Sequence, residues 1–279
     1  MSAPMELASA SPLLSTPFDG MAADYDEQFT DSLLGRLMRQ AVWQRMDTHF
    51  QPGDRILELN CGTGEDALHL AKRGVQVLAT DISSAMVQVA REKVAHHGLN
   101  ALVDVQQLPI ESMTQLLPSL PNAGSPSAVA FDGALSNFGG LNCVRDLESI
   151  ASALAACLRP GATALLCIMG PVCPWEWGWY LRKGQPAKAF RRLRRGGVSW
   201  RGLTIHYPSV RKVRRAFAPA FRLRRASAVG ALLPPTYVEE WALRHARLIA
   251  LLNRWERRIE AVPVLPQLAD HYLLELERV

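Results

Sequence analysis

Two carboxylates set either side of a glycine turn carry the most pointed chemistry in this chain. Glu58 and Asp81 flank Cys61-Gly62-Thr63-Gly64 in the stretch RILELNCGTGEDALHLAKRGVQVLATD, residues 55–81. Glycine frees the backbone for a tight turn, so a ligand can close on the main chain. A larger side chain at Gly62 or Gly64 is expected to push such a ligand away. Asp81 suits two neighbouring hydroxyls, such as a ribose diol, because a carboxylate only accepts hydrogen bonds. Glu58, four residues before Gly62, suits a ligand carrying an ammonium group and would repel a pyrophosphate. Farther on, Ser136-Asn137-Phe138-Gly139-Gly140 offers an amide that both donates and accepts, an apolar wall, and glycines that allow close approach.

The elements that position these residues follow from hydrophobic spacing. Residues 55–59 are short and apolar, as a buried parallel strand should be. Residues 65–73 have helical spacing, with Ala67, Leu68, Leu70 and Ala71 on one face and Gly74 as the stop. Residues 75–80 form a second strand with Asp81 at its carboxyl end. This strand–helix–strand unit brings the glycine loop and Asp81 to one sheet edge, where open α/β sheets bind ligands. A helix from Ser83 or Ser84 to His97 is followed by a strand at 101–107. A prolyl loop spans 118–127, then a strand 129–135, a helix 142–158 and a strand 162–169. Such alternation argues for a parallel sheet with helices on both faces.

The segment Glu58-Leu59-Asn60-Cys61-Gly62-Thr63-Gly64 resembles motif I of class I S-adenosylmethionine (SAM) dependent methyltransferases, written (E/D)-x-G-x-G-x-G. Asp81-Ile82-Ser83 resembles their motif II. Residues 131–142, FDGALSNFGGLN, look like motif IV in a form seen among small-molecule enzymes. The chain departs at Asn60, where the pattern has its first glycine; asparagine tolerates left-handed backbone better than other side chains. Residues 18–26, FDGMAADYD, resemble the lead segment in which a tyrosine, here Tyr25, closes over the cofactor. The resemblance implies a Rossmann-like, seven-stranded, mostly parallel sheet whose last strand is antiparallel, with a helical cap insertion. It also implies a cofactor site built from Tyr25, Glu58, Asn60, Cys61, Gly62, Gly64, Asp81, Ile82, Met86, Gln107, Leu108, Ser136, Asn137 and Phe138. The acidic residue often found after the third strand is missing: Gln106, Gln107 and Leu108 stand there, and Asp104 comes too early.

Two other readings fit the same residues. Gly62-x-Gly64-x-x-Ala67 with an acid about 20 residues on also matches a dinucleotide fingerprint, and hence an NAD(P)-linked oxidoreductase. A non-catalytic SAM-fold binding protein would carry the same motifs.

Length and composition bound the rest. A chain of 279 residues, 48% hydrophobic and 20% charged, can bury a full core and is ordinary for a globular protein. No apolar run approaches a membrane span of about 18 residues. The N-terminus lacks the basic start and apolar core of a secretory signal, and residues 1–17 read as a flexible lead-in. Five cysteines without a C-x-x-C pair argue for reduced thiols in a cytoplasm and against a zinc site.

Charge is concentrated rather than spread. The net is +5, yet between Trp177 and Val238 there are fifteen Lys and Arg and no Asp or Glu, so the remainder is acidic. The domain reading is a SAM-binding core at 18–170, a basic aromatic cap insertion at 171–220, and the last two strands at 221–279 with a cap helix over 236–260. Thr236-x-x-Glu239 reads as that helix's capping box, with Trp241, Leu248, Leu252 and Trp255 on its inner face. The basic segment has three readings: a solvated helix face, attraction to an anionic membrane surface, and, weakest, a nucleic-acid groove. Methyl transfer from a sulfonium is an in-line displacement that needs a base only when the acceptor arrives protonated. Candidate bases are His206, Tyr207, His271 and Tyr180, with His206 beside Tyr207 first. Trp175 and Tyr180 are candidates for lining a pocket for a small, apolar or aromatic methyl acceptor. Neither the acceptor atom nor the oligomeric state can be read from these residues.

Overall fold

The computed structural model describes residues 16–119 and 131–279. Residues 1–15 of the expected lead-in and 120–127 of the expected prolyl loop lie outside the described residues. The chain opens with a 3₁₀ turn at Asp19–Met21 and a π-helical turn at Asp26–Thr30, followed by α1, Leu33–His49. Five strands then alternate with helices: β1 Arg55–Leu59, α2 Glu65–Ala71, β2 Gln76–Asp81, α3 Ser84–His96, β3 Val103–Gln107, β4 Phe131–Ser136, α4 Leu147–Cys157 and β5 Leu158–Met169. The stretch expected as the cap holds α5 Pro174–Arg182, α6 Pro186–Ala189, a hairpin of β6 Val198–Trp200 and β7 Leu203–Ile205, and α7 Val210–Phe217. After β8, Phe221–Val229, come α8 Glu239–Arg244, α9 Ala246–Ile259 and the last strand β9, His271–Arg278.

The seven strands lie in the order β3-β2-β1-β4-β5-β9-β8. β1 through β5 are parallel, and β9 runs antiparallel to both of its neighbours. Strand order reverses between β1 and β4, the switch point at which ligands bind in sheets of this kind. Apolar residues alternate across β1, so that Ile56 packs under α1, α2 and α3 while Leu57 and Leu59 face α4 and α7. Both faces of the sheet are thereby covered, as the βα alternation predicts.

Three helices differ from the expectation. A 3₁₀ turn at Gly140–Cys143 precedes α4, which starts only at Leu147, where Asp146 caps the Ser149 amide. The basic stretch expected as one helix over 186–195 is a single turn, α6, and a 3₁₀ turn. The long cap helix is broken at His245 into α8 and α9. Glu239 does not close a capping box there. Its carboxylate accepts instead from the amides of Leu33 and Leu34, at the start of α1. The buried face of α8–α9 is Ala242, Ile249 and Glu256, whereas Leu248 and Trp255 point outward. Glu256 reverses the expected polarity of that face because it accepts three amides, those of Gly230, Leu232 and Leu233.

Candidate functional site

The glycine turn after β1 is built on left-handed backbone. Asn60, Gly62 and Gly64 have φ of +52°, +54° and +81°. Asn60 takes the place of a glycine and fixes itself: its Nδ2 donates to the Asn137 carbonyl at 2.9 Å and its Oδ1 accepts from Ser136 Oγ at 2.6 Å. That ties the end of β1 to the end of β4. Nothing lies within 4 Å of where a Gly62 Cβ would stand, so the turn opens onto free space there. Gly64 is different. A Cβ there would meet Ala90 at 3.0 Å, so this glycine permits α3 to pack against the turn rather than making room for a ligand.

Asp81 holds the turn in place. Its Oδ2 accepts from the Gly62 amide and its Oδ1 from the Ser83 amide, both at 2.9 Å. Each oxygen keeps a second lone pair, and the residue is 8% exposed. Burial raises its pKa despite those amides. Beyond β3, Gln107 donates to the Ile82 carbonyl, and Leu108 donates its amide to the Asp81 carbonyl. Met86 is buried, its amide capped by Ser83 Oγ. Cys61 is buried too, with its amide on the Thr80 carbonyl.

Glu58 is not open to the turn. It is 1% exposed, and its Oε2 has no partner among the described residues. Burial, with Asp66 adding to it, pushes its carboxyl well above the usual range. Asp66, which the spacing does not single out, proves central. It accepts from Arg39 at 2.8 Å, Trp43 Nε1 at 2.6 Å and Asn137 Nδ2 at 2.8 Å. Although buried, it is held below the ordinary aspartate value by Arg39. This network fixes the Asn137 amide and leaves its Oδ1 buried without a partner among the described residues. The one signal in the sequence is an acid at a position where α2 turns its apolar face inward.

The lead segment lies across this edge. Asp19 accepts from Ser83 Oγ at 2.5 Å, and Asp26 accepts from Thr63 Oγ1 at 2.7 Å and pairs with Lys93. Tyr25 stands 5.8 Å from Phe29, ring to ring, and Phe29 in turn meets Phe138 edge-on at 5.2 Å.

Next to Phe138 a cavity of about 320 Å³ opens between the sheet edge and the cap. Tyr25, Phe29, Phe138, Met169, Tyr237 and His271 give it an aromatic and apolar wall, and Arg191, Arg192 and Asp270 give it charge. His271 meets Phe138 edge-on at 5.6 Å, and its Nδ1 is 3.1 Å from Asp270 Oδ2. Arg192, 6% exposed, reaches Asp270 Oδ1 at 2.5 Å, the Asp270 and Gly170 carbonyls, and Glu176 Oε2 at 2.9 Å. Burial would raise the Asp270 carboxyl, but Arg192 and His271 hold it well below the aspartate range.

The four residues expected to catalyse or to line the acceptor pocket, His206, Tyr207, Trp175 and Tyr180, stand outside this cavity. His206 donates its amide to the Asn142 carbonyl and accepts from Asn142 Nδ2, so its backbone docks the hairpin onto the turn after β4. Burial, then Lys212 and Arg145, lower its pKa. Tyr207 packs beneath Arg192, 5.3 Å from its guanidinium. Trp175 donates to the Leu232 carbonyl and packs on Trp241, a structural role in place of the expected lining one. Tyr180 lies behind Tyr237 at 5.6 Å. Of the candidate bases, His271 is the one that reaches the cavity.

The model of the methyltransferase domain family matches residues 56–161, which span the glycine turn, Asp81 and the turn after β4. Residues 56–161 carry the methyltransferase domain. The chain is 31% identical over 156 residues to the 2-phytyl-1,4-naphtoquinone methyltransferase of Synechococcus elongatus, covering 53% of this chain and 60% of that one. It is 34% identical over 99 residues to the demethylmenaquinone methyltransferase of Symbiobacterium thermophilum, covering 32% and 37%. The chain thus spans less than two thirds of the length of these curated relatives. A solved S-adenosylmethionine dependent methyltransferase from Mesorhizobium loti shares the fold, with a TM-score of 0.54 at 18% identity over 85% of this chain and 98% of that one.

Proposed function

We propose that the chain is a SAM-dependent methyltransferase acting on a small, apolar or aromatic acceptor. One observation carries the reading. The sheet edge joins a site with the donors and acceptors of an amino-acid nucleoside directly to an apolar cavity. The fit rests on three features. Asp81 retains open lone pairs beside the free space at Gly62, as a ribose diol requires. Asn137 Oδ1, at the end of β4, is a buried acceptor without a partner among the described residues and wants a donor such as an ammonium group, while Glu58 on the neighbouring strand is closed off from the turn. Tyr25 and the turns around it lie over the same edge. Ile82, 37% exposed at the end of β2, is placed to flank the adenine, with Gln107 and Leu108 beyond it. Asn60, Cys61 and Gly64 shape the turn, while Ser136 and Met86 support it from behind.

When bound, SAM supplies an electrophilic methyl group on a sulfonium. The chain's own residues do the rest. Asp81, Gly62 and Asn137 orient the cofactor; Phe29, Phe138 and Met169 exclude water and hold the acceptor in line. His271, beside Asp270, takes the proton of an acceptor that arrives protonated, and Arg192 holds Asp270 as the carboxylate. An aromatic acceptor suits the wall, and the relatives' named substrates, demethylmenaquinone and a phytyl naphthoquinone, are apolar ring compounds. In this reading the cap insertion at 171–220 and the cap helices close the acceptor side, and five free thiols suit a cytoplasmic setting. No helix among the described residues is long and apolar enough to cross a membrane.

The test is calorimetric titration with SAM, S-adenosylhomocysteine and NADH side by side, on the native chain and on Asp81→Asn. Binding of the two sulfur nucleosides, weakened about 10- to 100-fold by the substitution, is expected, since a hydrogen bond to a charged group contributes about 1.5–3 kcal/mol. Binding of NADH alone would overturn the reading.

A further inference from the structure

The cap helices leave one face without a partner. Leu243, Leu248, Leu251 and Trp255 are 57%, 42%, 50% and 52% exposed. Leu248, Leu251 and Trp255 are three and four residues apart, so they form one stripe along α9. Arg247, Arg254 and Arg258 run beside it, all exposed and, among the described residues, without a carboxylate partner. Arg258 lies 5.4 Å over the Trp255 ring. The acids of the helix are spent inward. Glu256 holds three amides, and Glu260 pairs with Arg225 and Arg257. What remains outside is an apolar stripe edged by positive charge.

We propose that this face of α8–α9 docks on an anionic lipid bilayer, with Leu248, Leu251 and Trp255 in the headgroup region and Arg247, Arg254 and Arg258 on lipid phosphates. Amphipathic helices bind membrane surfaces in this way, through buried apolar area and attraction to anionic lipid together. Trp at the edge of the stripe suits the interface, where one side of a ring is apolar and the other wet. A second copy of the chain fits less well. A two-fold contact would set this arginine row against itself, and no exposed acid on α9 could answer it.

Much of the basic segment recognised in the sequence is engaged elsewhere. Arg191 and Arg192 turn inward to Glu176 and Asp270, and Arg224 pairs with Glu277. Arg211, Lys212, Arg214 and Arg215 form the solvated side of α7, whose apolar face is buried. The placement of α8–α9 has a further use. Pro235, Thr236 and Tyr237, which line the cavity, lead directly into α8, so docking would set the cavity wall close to the bilayer. The docking itself stands apart from the methyl-transfer reading, and its test measures no catalysis.

The full chain is sedimented with phosphatidylcholine vesicles, with and without phosphatidylglycerol, at low and high salt. The expected result is pelleting that needs phosphatidylglycerol and falls as salt rises. Arg254→Gln/Arg258→Gln should weaken it about 20-fold, from roughly fivefold per charge near the surface. Leu251→Glu/Trp255→Glu should abolish it. All four substitutions are on exposed positions, and an unchanged melting temperature verifies that the fold survives. Arg211→Gln/Arg214→Gln on α7 serves as the charge control. An equal loss in that control would mean diffuse attraction and overturn the proposal. So would equal pelleting with neutral vesicles. Light scattering that shows a dimer dispersed by Leu251→Glu/Trp255→Glu would assign the face to a second copy instead.

Discussion

Asn60 and Gly140 fit each other as a side chain fits a hole. The Asn60 amide occupies the place a Gly140 side chain would need: a Cβ at Gly140 would stand 2.0 Å from Asn60 Cγ. The asparagine replaces a glycine of the motif, and the glycine after β4 makes room for it. Gly140→Ala should therefore destabilise the protein by about 1–3 kcal/mol, the usual cost of overpacking. Adding Asn60→Gly should recover most of that loss, even though Asn60→Gly alone gives up two hydrogen bonds. A double-mutant cycle by urea denaturation measures the coupling. Additive losses would show that the two residues do not share the space.

Glu58 should cost the unliganded protein stability. Its folded pKa is raised above the ordinary 4.5, chiefly by burial. Such a group contributes its stability as the neutral acid below about 4.5 and loses it as pH rises through the folded pKa. Glu58→Gln keeps the shape without the titration. The variant is expected to be more stable than the native chain at neutral pH, by an amount that shrinks as pH falls. Urea midpoints across pH test this.

Glu275 should behave in the opposite sense. Against burial, hydrogen bonds from His49 and Arg45 hold its carboxyl at about 2 rather than 4.5. Its contribution is present above about 4.5 and is lost as pH falls from there through about 2. Glu275→Gln should lower stability at neutral pH by about 3 kcal/mol, following the size of the shift. Near pH 2 the difference between variant and native chain should vanish, which acid titration of the unfolding midpoint would reveal.

His271 is the test of the acceptor cavity. His271→Asn should reduce turnover by about 100-fold or more with a protonated acceptor, the scale of a lost general base, while affinity for S-adenosylhomocysteine holds. His206→Ala, outside the cavity, should leave turnover unchanged. The reverse pattern would move the base to the hairpin.

The parallel core was legible because each of its elements is local. Apolar runs such as 55–59 and 75–80 and stops such as Gly74 carry their own meaning, and the resemblance supplied the order of the last strands. Asn60 could be read as left-handed for the same reason. The cap was less legible because its apolar residues face in both directions. Trp241, Leu248, Leu252 and Trp255 suggest one inner face, yet Glu256 takes the buried position, since three free amides after β8 need an acceptor. Thr236 and Glu239 have capping-box spacing, but Glu239 answers the amides of a helix two hundred residues away. Asp66, Asp270 and Arg192 escaped notice because their meaning lies in partners that only the fold brings near.

The fork of Arg192 bears on how this protein could change its diet. Its guanidinium links Glu176 of the cap to Asp270 at the threshold of β9, with all three side chains almost wholly buried beside the cavity. Exchanging the cap for another, as a cassette, would leave the aspartate with only His271 beside it. New acceptor preferences should arise from small changes along the wall, at Phe29, Met169 or Tyr237, while the arginine stays. A transplanted cap should fold only if it brings an arginine of its own to the same spot.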